Sequence, residues 1–218
     1  MTTRHLIIGS FLVALVLSPL TAKAADSSAP EFYGGLFGGA TIPFSLQDLR
    51  QTDGTTITNL DLATSGIFGA KVGFFLPGRD RWMGVETEFF YTNPHIKQQE
   101  ATVTDPVLGP QTGTITGSHV RVATWALNWI IRYPGERFQP YAGIGAGLFW
   151  GRVSGSVSGT GSDTSPGVNA LAGVRLLLTQ RFALFAEYKY NRVTFDFGGV
   201  THALYQVNNV VGGLSFHF

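Results

Sequence analysis

The chain has 218 residues, 15 of them Lys or Arg against 14 Asp or Glu, with no cysteine. The near-neutral charge argues against nucleic acid as a partner, and the missing thiols exclude a disulfide framework or a thiolate metal site. Charged residues make up only 13% while aromatics reach 13% and glycines number 28, a balance too apolar for an ordinary soluble domain.

Residues 1–24 read as an export signal. Arg4 precedes the apolar run Leu6 to Leu17, and Ala22-Lys23-Ala24 offers a small-x-small cleavage site. The run is about half of the roughly 20 residues that a bilayer-spanning helix needs, so removal is expected. The remaining 194 residues (218 − 24) form one expected domain over 25–218. It contains no run of 18 uninterrupted apolar residues. An apolar chain without spanning helices has one other way to satisfy its backbone in lipid, a closed barrel whose strands pair all round.

Eight stretches of period-two alternation follow, near 32–44, 64–76, 82–93, 118–133, 138–151, 166–178, 181–196 and 206–218. Each is long enough for a tilted strand to cross a bilayer. The fold class they predict is all-β, an eight-stranded antiparallel up-and-down transmembrane β-barrel. In the second stretch Phe68, Ala70, Val72, Phe74 and Leu76 share one face, and Ser65, Gly69, Lys71 and Gly73 the other. Connections after strands 2, 4 and 6 are short and turn-rich, as in Pro134-Gly135-Glu136-Arg137. Those after strands 1, 3, 5 and 7 are long, over 45–63, 94–117, 152–164 and 197–205, and rich in Thr, Ser, Gly and Asp. Short periplasmic turns and long external loops are the arrangement of outer-membrane barrels. Such loops read either as a partner-binding surface or as solvated, flexible connections.

A soluble barrel that holds a ligand also alternates, but it keeps its apolar face inside. Here the polar face is small as well as charged, with Gly69, Gly73, Gly143, Gly145 and Gly147 beside Lys71 and Glu86. That composition suits a crowded lumen, while Trp125, Leu127 and Trp129 on the opposite face suit lipid. Aromatic residues sit at both ends of the strands: Tyr133, Phe182, Phe216 and Phe218 at one, Tyr91, Trp150 and Tyr190 at the other. These are the belts expected at headgroup level.

The segments FYGGLFGGA at 32–40, LFAEYKYN at 184–191 and VVGGLSFHF at 210–218 resemble the eight-stranded outer-membrane β-barrel domain family, which includes the barrel of outer-membrane protein A. The resemblance covers essentially the whole mature chain. It implies location in the bacterial outer membrane and contact with outer-membrane lipid and lipopolysaccharide. It also implies a C-terminal assembly signal in Phe216 and Phe218, read by the barrel assembly machinery during biogenesis. The family is held together by architecture rather than a catalytic motif. No peptidoglycan-binding domain follows Phe218, so the cell-wall tether of longer members is expected to be absent.

The residues most charged with meaning are seven on the lumen face: Lys71, Glu86, Glu88, Arg132, Arg175, Glu187 and Lys189. Paired, they plug the interior; left open, they line an ion path. The turn over 77–81 is expected to bring Lys71 beside Glu86 or Glu88. His119 and Arg121 are expected near the external rim, where Arg121 could meet lipopolysaccharide phosphates. A lipid A-modifying enzyme needs a Ser, a His and an acid grouped near that rim. Ser118 and His119 are adjacent and so take opposite faces. Ser215 and His217 share a face but lie at the periplasmic end, and the His-x-Ser spacing of lipid A deacylases is missing. The sequence therefore leads to a non-enzymatic barrel without cofactor or metal, contributing to envelope integrity or presenting loops to a surface partner. A narrow porin-like channel and a lipid A-modifying enzyme are the alternatives.

Overall fold

Alternation of bulky apolar residues with small or polar ones produces eight long strands in the computed structural model. They are β1 (Glu31–Pro43), β2 (Ser65–Phe75), β3 (Met83–Thr92), β4 (Ser118–Arg132), β5 (Phe138–Gly155), β6 (Gly159–Leu177), β7 (Phe182–Phe195) and β8 (Ala203–His217). The structure describes residues 29–43, 49–51, 56–58, 63–78, 80–96, 99–105, 109–115, 118–155, 159–197, 200–201 and 203–218. The expected export signal lies outside them.

Each strand pairs antiparallel with its neighbours in sequence, and β1 pairs with β8 to close the barrel, Tyr33 opposite His217 and Leu36 opposite Leu214. The stagger can be read from the register. Stepping between partners from Arg132 through Tyr141, Gly173, Glu187, Val211, Gly39, Ile67 and Thr92 returns to β4 at Val122, a displacement of ten residues (132 − 122). Eight strands with that stagger tilt by about 40° and enclose a backbone cylinder of roughly 8 Å radius, which side chains can fill.

The two faces separate as the alternation requires. Leu36, Phe68, Val72, Trp125, Leu127, Trp129, Ile144, Leu184 and Leu214 stand exposed on the outer wall, an apolar band fit for hydrocarbon rather than water. Tyr133, Phe138 and Phe182 end the band at the short-turn end, and Trp150 is exposed near the long-loop end. Phe216 and Phe218 join the first group, their rings 5.0 Å apart, with Phe216 set edge-on against Phe182 at 5.0 Å.

The lumen differs from its expected composition in carrying many aromatic rings beside its charges. Tyr33, Phe75, Ile130, Tyr141 and Leu171 form one buried cluster, and Phe37, Ile67, Phe90, Phe185 and Val211 another. The glycines explain how rings fit in so narrow a cylinder. A Cβ on Gly73 would lie 2.7 Å from the Tyr33 ring, and one on Gly173 would lie 2.9 Å from that of Tyr141. The inward glycines leave the space that neighbouring rings occupy.

The long connections carry structure that their composition concealed. β5 runs on to Gly155 and β6 begins at Gly159, so most of the expected loop over 152–164 is a continuation of the hairpin, Val153 opposite Gly161. Buried Val153 and Phe195 explain the extension, since Gly151 lies against the Phe195 ring beyond the barrel proper. Segments of the other three connections pair into a second, five-stranded sheet in the order Val200–Thr201, Leu49–Gln51, Thr56–Thr58, Gln99–Asp105 and Gly109–Ile115. Its Thr- and Val-bearing stretches have the β-branched composition that strands favour. Gly109 supplies the left-handed turn residue of the last hairpin with φ of 76°.

Candidate functional site

The barrel interior is stacked in layers, and the strand registers decide which side chains share one. At mid-height are Lys71 from β2, Glu86 and Glu88 from β3, and Glu187 and Lys189 from β7, all buried. Register sets Lys71 directly opposite Glu88, yet the two do not pair. Lys71 Nζ lies 3.3 Å from Glu86 Oε2 and reaches across the lumen to Glu187 Oε2 at 2.7 Å. Lys189 takes Glu88 instead, and its Nζ lies 2.6 Å from Glu187 Oε1. Glu187 thus bridges both lysines, and the ion pairs run from β2 and β3 to β7 on the opposite wall.

Rings complete the cage around these cations. Lys71 Nζ sits 4.3 Å from the centroid of Phe185, and Lys189 Nζ sits 5.0 Å from that of Phe37, within the range of cation–π attraction. Two tyrosines share the carboxylate oxygens that Lys71 contacts: Tyr33 OH donates to Glu86 Oε2 and Tyr141 OH to Glu187 Oε2, each at 2.7 Å.

On the long-loop side the charges hand over to amides. Asn128 and Asn169 both donate to Glu88 Oε1, at 2.9 and 2.7 Å. Asn191 donates to Asn169 Oδ1 and Asn209 to Asn191 Oδ1, each at 2.7 Å, and Thr41 Oγ1 donates to Asn209 Oδ1 at 2.6 Å. This chain of amides crosses β4, β6, β7, β8 and β1, so it ties five strands together around the lumen.

The seven expected lumen charges do not form a single network. Arg175 lies towards the short-turn end, its guanidinium 4.3 Å from the Tyr33 centroid and 5.4 Å from that of Tyr141. Arg132 lies further still, over the Phe75 ring at 3.6 Å. There it belongs to a separate cluster that closes the barrel mouth. Arg132 grips both oxygens of Glu31, donates from Nη1 to Gln139 Oε1 at 3.2 Å and from Nε to the Arg81 carbonyl at 3.0 Å. Arg81 has φ of 43°, a left-handed conformation uncommon outside glycine. The split follows from length: Arg132 is four residues from Asn128 along β4, more than 10 Å of strand.

The same mouth adds a carboxylate to Ser215 and His217, which alternation already places on one face at this end. His217 Nδ1 lies 2.8 Å from Glu31 Oε1, and its Nε2 lies 3.3 Å from Ser215 Oγ. A hydroxyl, an imidazole and a carboxylate therefore stand in the order used by serine hydrolases. Ser215 and His217 are both buried. Glu31 is the residue that sequence reasoning missed, because its proximity depends on β1 pairing with β8 across the closure. Glu31, Tyr33, Tyr141 and the four asparagines all sit at inward parity on their strands, which was the available signal.

At the other end Arg121 is exposed on the outer face of β4, directly opposite exposed Arg152 on β5. His119 pairs through its backbone with Ser154 and with His95; its side chain lies outside the described ones.

Comparison with known proteins gives the setting. A family model described as outer membrane protein beta-barrel domain matches residues 10–218. Among solved structures, the outer membrane protein OprG from Pseudomonas aeruginosa is similar at 16% identity with a TM-score of 0.50, over 88% of this chain and 96% of that one. The N-terminal β-barrel domain of Pseudomonas aeruginosa OprF is similar at 16% identity and a TM-score of 0.48, over 86% and 97%. The outer membrane protease OmpT from Escherichia coli is similar at 11% identity and a TM-score of 0.46, over 86% and 97%. No curated protein matches the chain.

Proposed function

The chain belongs to the outer membrane protein beta-barrel domain family and resides in the bacterial outer membrane, and from that premise we propose that it is a non-conducting, non-enzymatic barrel that holds an external sheet at the cell surface. The observation that carries this reading is the pair of bridges across the lumen, from Lys71 on β2 to Glu187 on β7 and from Lys189 on β7 to Glu88 on β3. Ions crossing the barrel would have to break paired charges in a cylinder that side chains fill. The working surface is then outside, in the five-stranded sheet contributed by three of the four long connections and in the extended β5–β6 hairpin. A rigid scaffold presenting such a surface suits either envelope reinforcement or recognition of a surface partner. Planar-bilayer recording on the purified chain tests this: the parent is expected to show no steady conductance, and a stable open state would transfer the assignment to a narrow channel.

A hydrolase is the second reading, favoured by the alignment of Ser215, His217 and Glu31. Its test is labelling by a fluorophosphonate probe in detergent. Stoichiometric labelling lost in Ser215→Ala would establish a reactive serine and displace the non-enzymatic reading. No labelling is the expected result, since Ser215 is only 2% exposed.

A further inference from the structure

We propose that Arg121 and Arg152 form a two-pronged clamp for the phosphate of a phosphorylated lipid in the outer leaflet. The two residues are direct partners across β4 and β5, in the register Arg152 opposite Arg121. Directly opposed residues on one face of an antiparallel pair have Cβ atoms only about 4.5–5.5 Å apart, and like charges in that position destabilise the sheet. Both side chains are exposed on the outer wall. Neither meets a carboxylate among the described residues: Arg152 faces Ser162 on β6, and the next rung outward on the same face pairs His119 with Ser154. The repulsion is therefore left for a ligand to relieve.

The height of the pair identifies the ligand. One step inward on the same face is the rung of Trp150 opposite Ala123, and the next pairs Leu148 with Trp125. These tryptophans mark where hydrocarbon gives way to headgroups. The arginine rung stands one step beyond, at the external end, level with the phosphates of the outer leaflet. Adjacent guanidinium groups fit a phosphomonoester, since each planar fork donates two parallel hydrogen bonds to its oxygens. A membrane glycolipid carrying phosphate on its headgroup satisfies both the charge and the depth, whereas a soluble anion satisfies only the charge.

The test uses the full chain, folded in uncharged detergent, with bisphosphorylated lipid A, the same lipid A stripped of phosphate, and phosphatidylglycerol as probes. Native mass spectrometry is expected to show bisphosphorylated lipid A retained at least about tenfold more tightly than the dephosphorylated form, the ratio that one lost pair of charge-assisted bonds supplies. The parent alone decides this first arm, so it does not depend on any variant folding. In the second arm Arg121→Gln and Arg152→Gln, separately, are expected to lose most of that preference, while Arg137→Gln at the opposite end keeps it. A third readout separates binding from general charge effects. Without lipid, either Arg→Gln change should leave the unfolding temperature equal or higher, because the like-charge repulsion is gone. With bisphosphorylated lipid A the parent should become the more stable. Equal retention of the two lipid A forms, equal retention of phosphatidylglycerol, or a preference unchanged in both variants would overturn the clamp.

Discussion

Replacing Lys71 by methionine removes one cation from the middle of the lumen, and the geometry specifies which carboxylate suffers. Glu187 keeps Lys189 at 2.6 Å and the Tyr141 hydroxyl, so it stays compensated. Glu88 keeps Lys189 and the donors Asn128 and Asn169. Glu86 keeps only the Tyr33 hydroxyl on Oε2, while Oε1 has no hydrogen-bond partner among the described residues. Both Lys71 and Glu86 have fully buried side chains, so water cannot take the place of the missing charge. Stranding one member of a buried pair costs about 3 to 5 kcal/mol, and Lys71→Met is expected to fall in that range. The double change Lys71→Met with Glu86→Gln should recover much of the loss, because a neutral amide no longer needs a cation. Lys71→Met with Glu88→Gln should recover little, since Glu88 was never the stranded group, although it stands directly opposite Lys71 in the register. Urea titration of the refolded barrel in detergent, followed by the mobility shift between folded and unfolded forms on gels, measures all three. Rescue by Glu88→Gln equal to that by Glu86→Gln, or a Lys71→Met loss below about 1 kcal/mol, would refute the assignment of ion-pair partners.

Three further outcomes bear on the other layers. Asn169→Leu cuts the amide chain: Glu88 Oε1 keeps Asn128, but Asn128 Oδ1 loses its donor and Asn191 Nδ2 its acceptor, so a loss of about 2 to 4 kcal/mol is expected from these two buried groups left unsatisfied, read from the same urea titration. Gly151→Ala places a methyl 2.9 Å from the Phe195 ring, where the nearest atoms are all that one side chain; a cost of about 1 to 3 kcal/mol from overpacking should fall sharply when Phe195→Leu is added, and persistence of the full cost would mean that backbone rather than the ring sets the limit. Arg132→Met releases the carboxylate of Glu31 from its two-oxygen grip but leaves His217 beside it. Its effect should be smaller than that of Lys71→Met, since Glu31 is 17% exposed and water can share the charge; a larger loss than Lys71→Met would show that the mouth, not the centre, holds the barrel shut.

The sequence by itself determined the number of barrel strands, their inward and outward faces and the location in the membrane. Those depend on period-two alternation and on the lengths of connections, both local properties of the chain. Lys71 could be assigned to the lumen from its neighbours Ala70 and Val72 alone. Its partner could not, because Glu187 is 116 positions away and is brought within 2.7 Å only by the curvature and ten-residue stagger of the closed sheet. The same holds for Glu31 and His217, which meet because the first strand pairs with the last, and for Arg132, whose distance along β4 removes it from the charges it was grouped with. The external sheet was hidden for a different reason: its Thr, Ser and Gly are as common in loops as in exposed strands, and only pairing between three separate connections makes them strands. Alternation fixes which wall a side chain faces, whereas the stagger and curvature of closure decide what waits for it across the lumen.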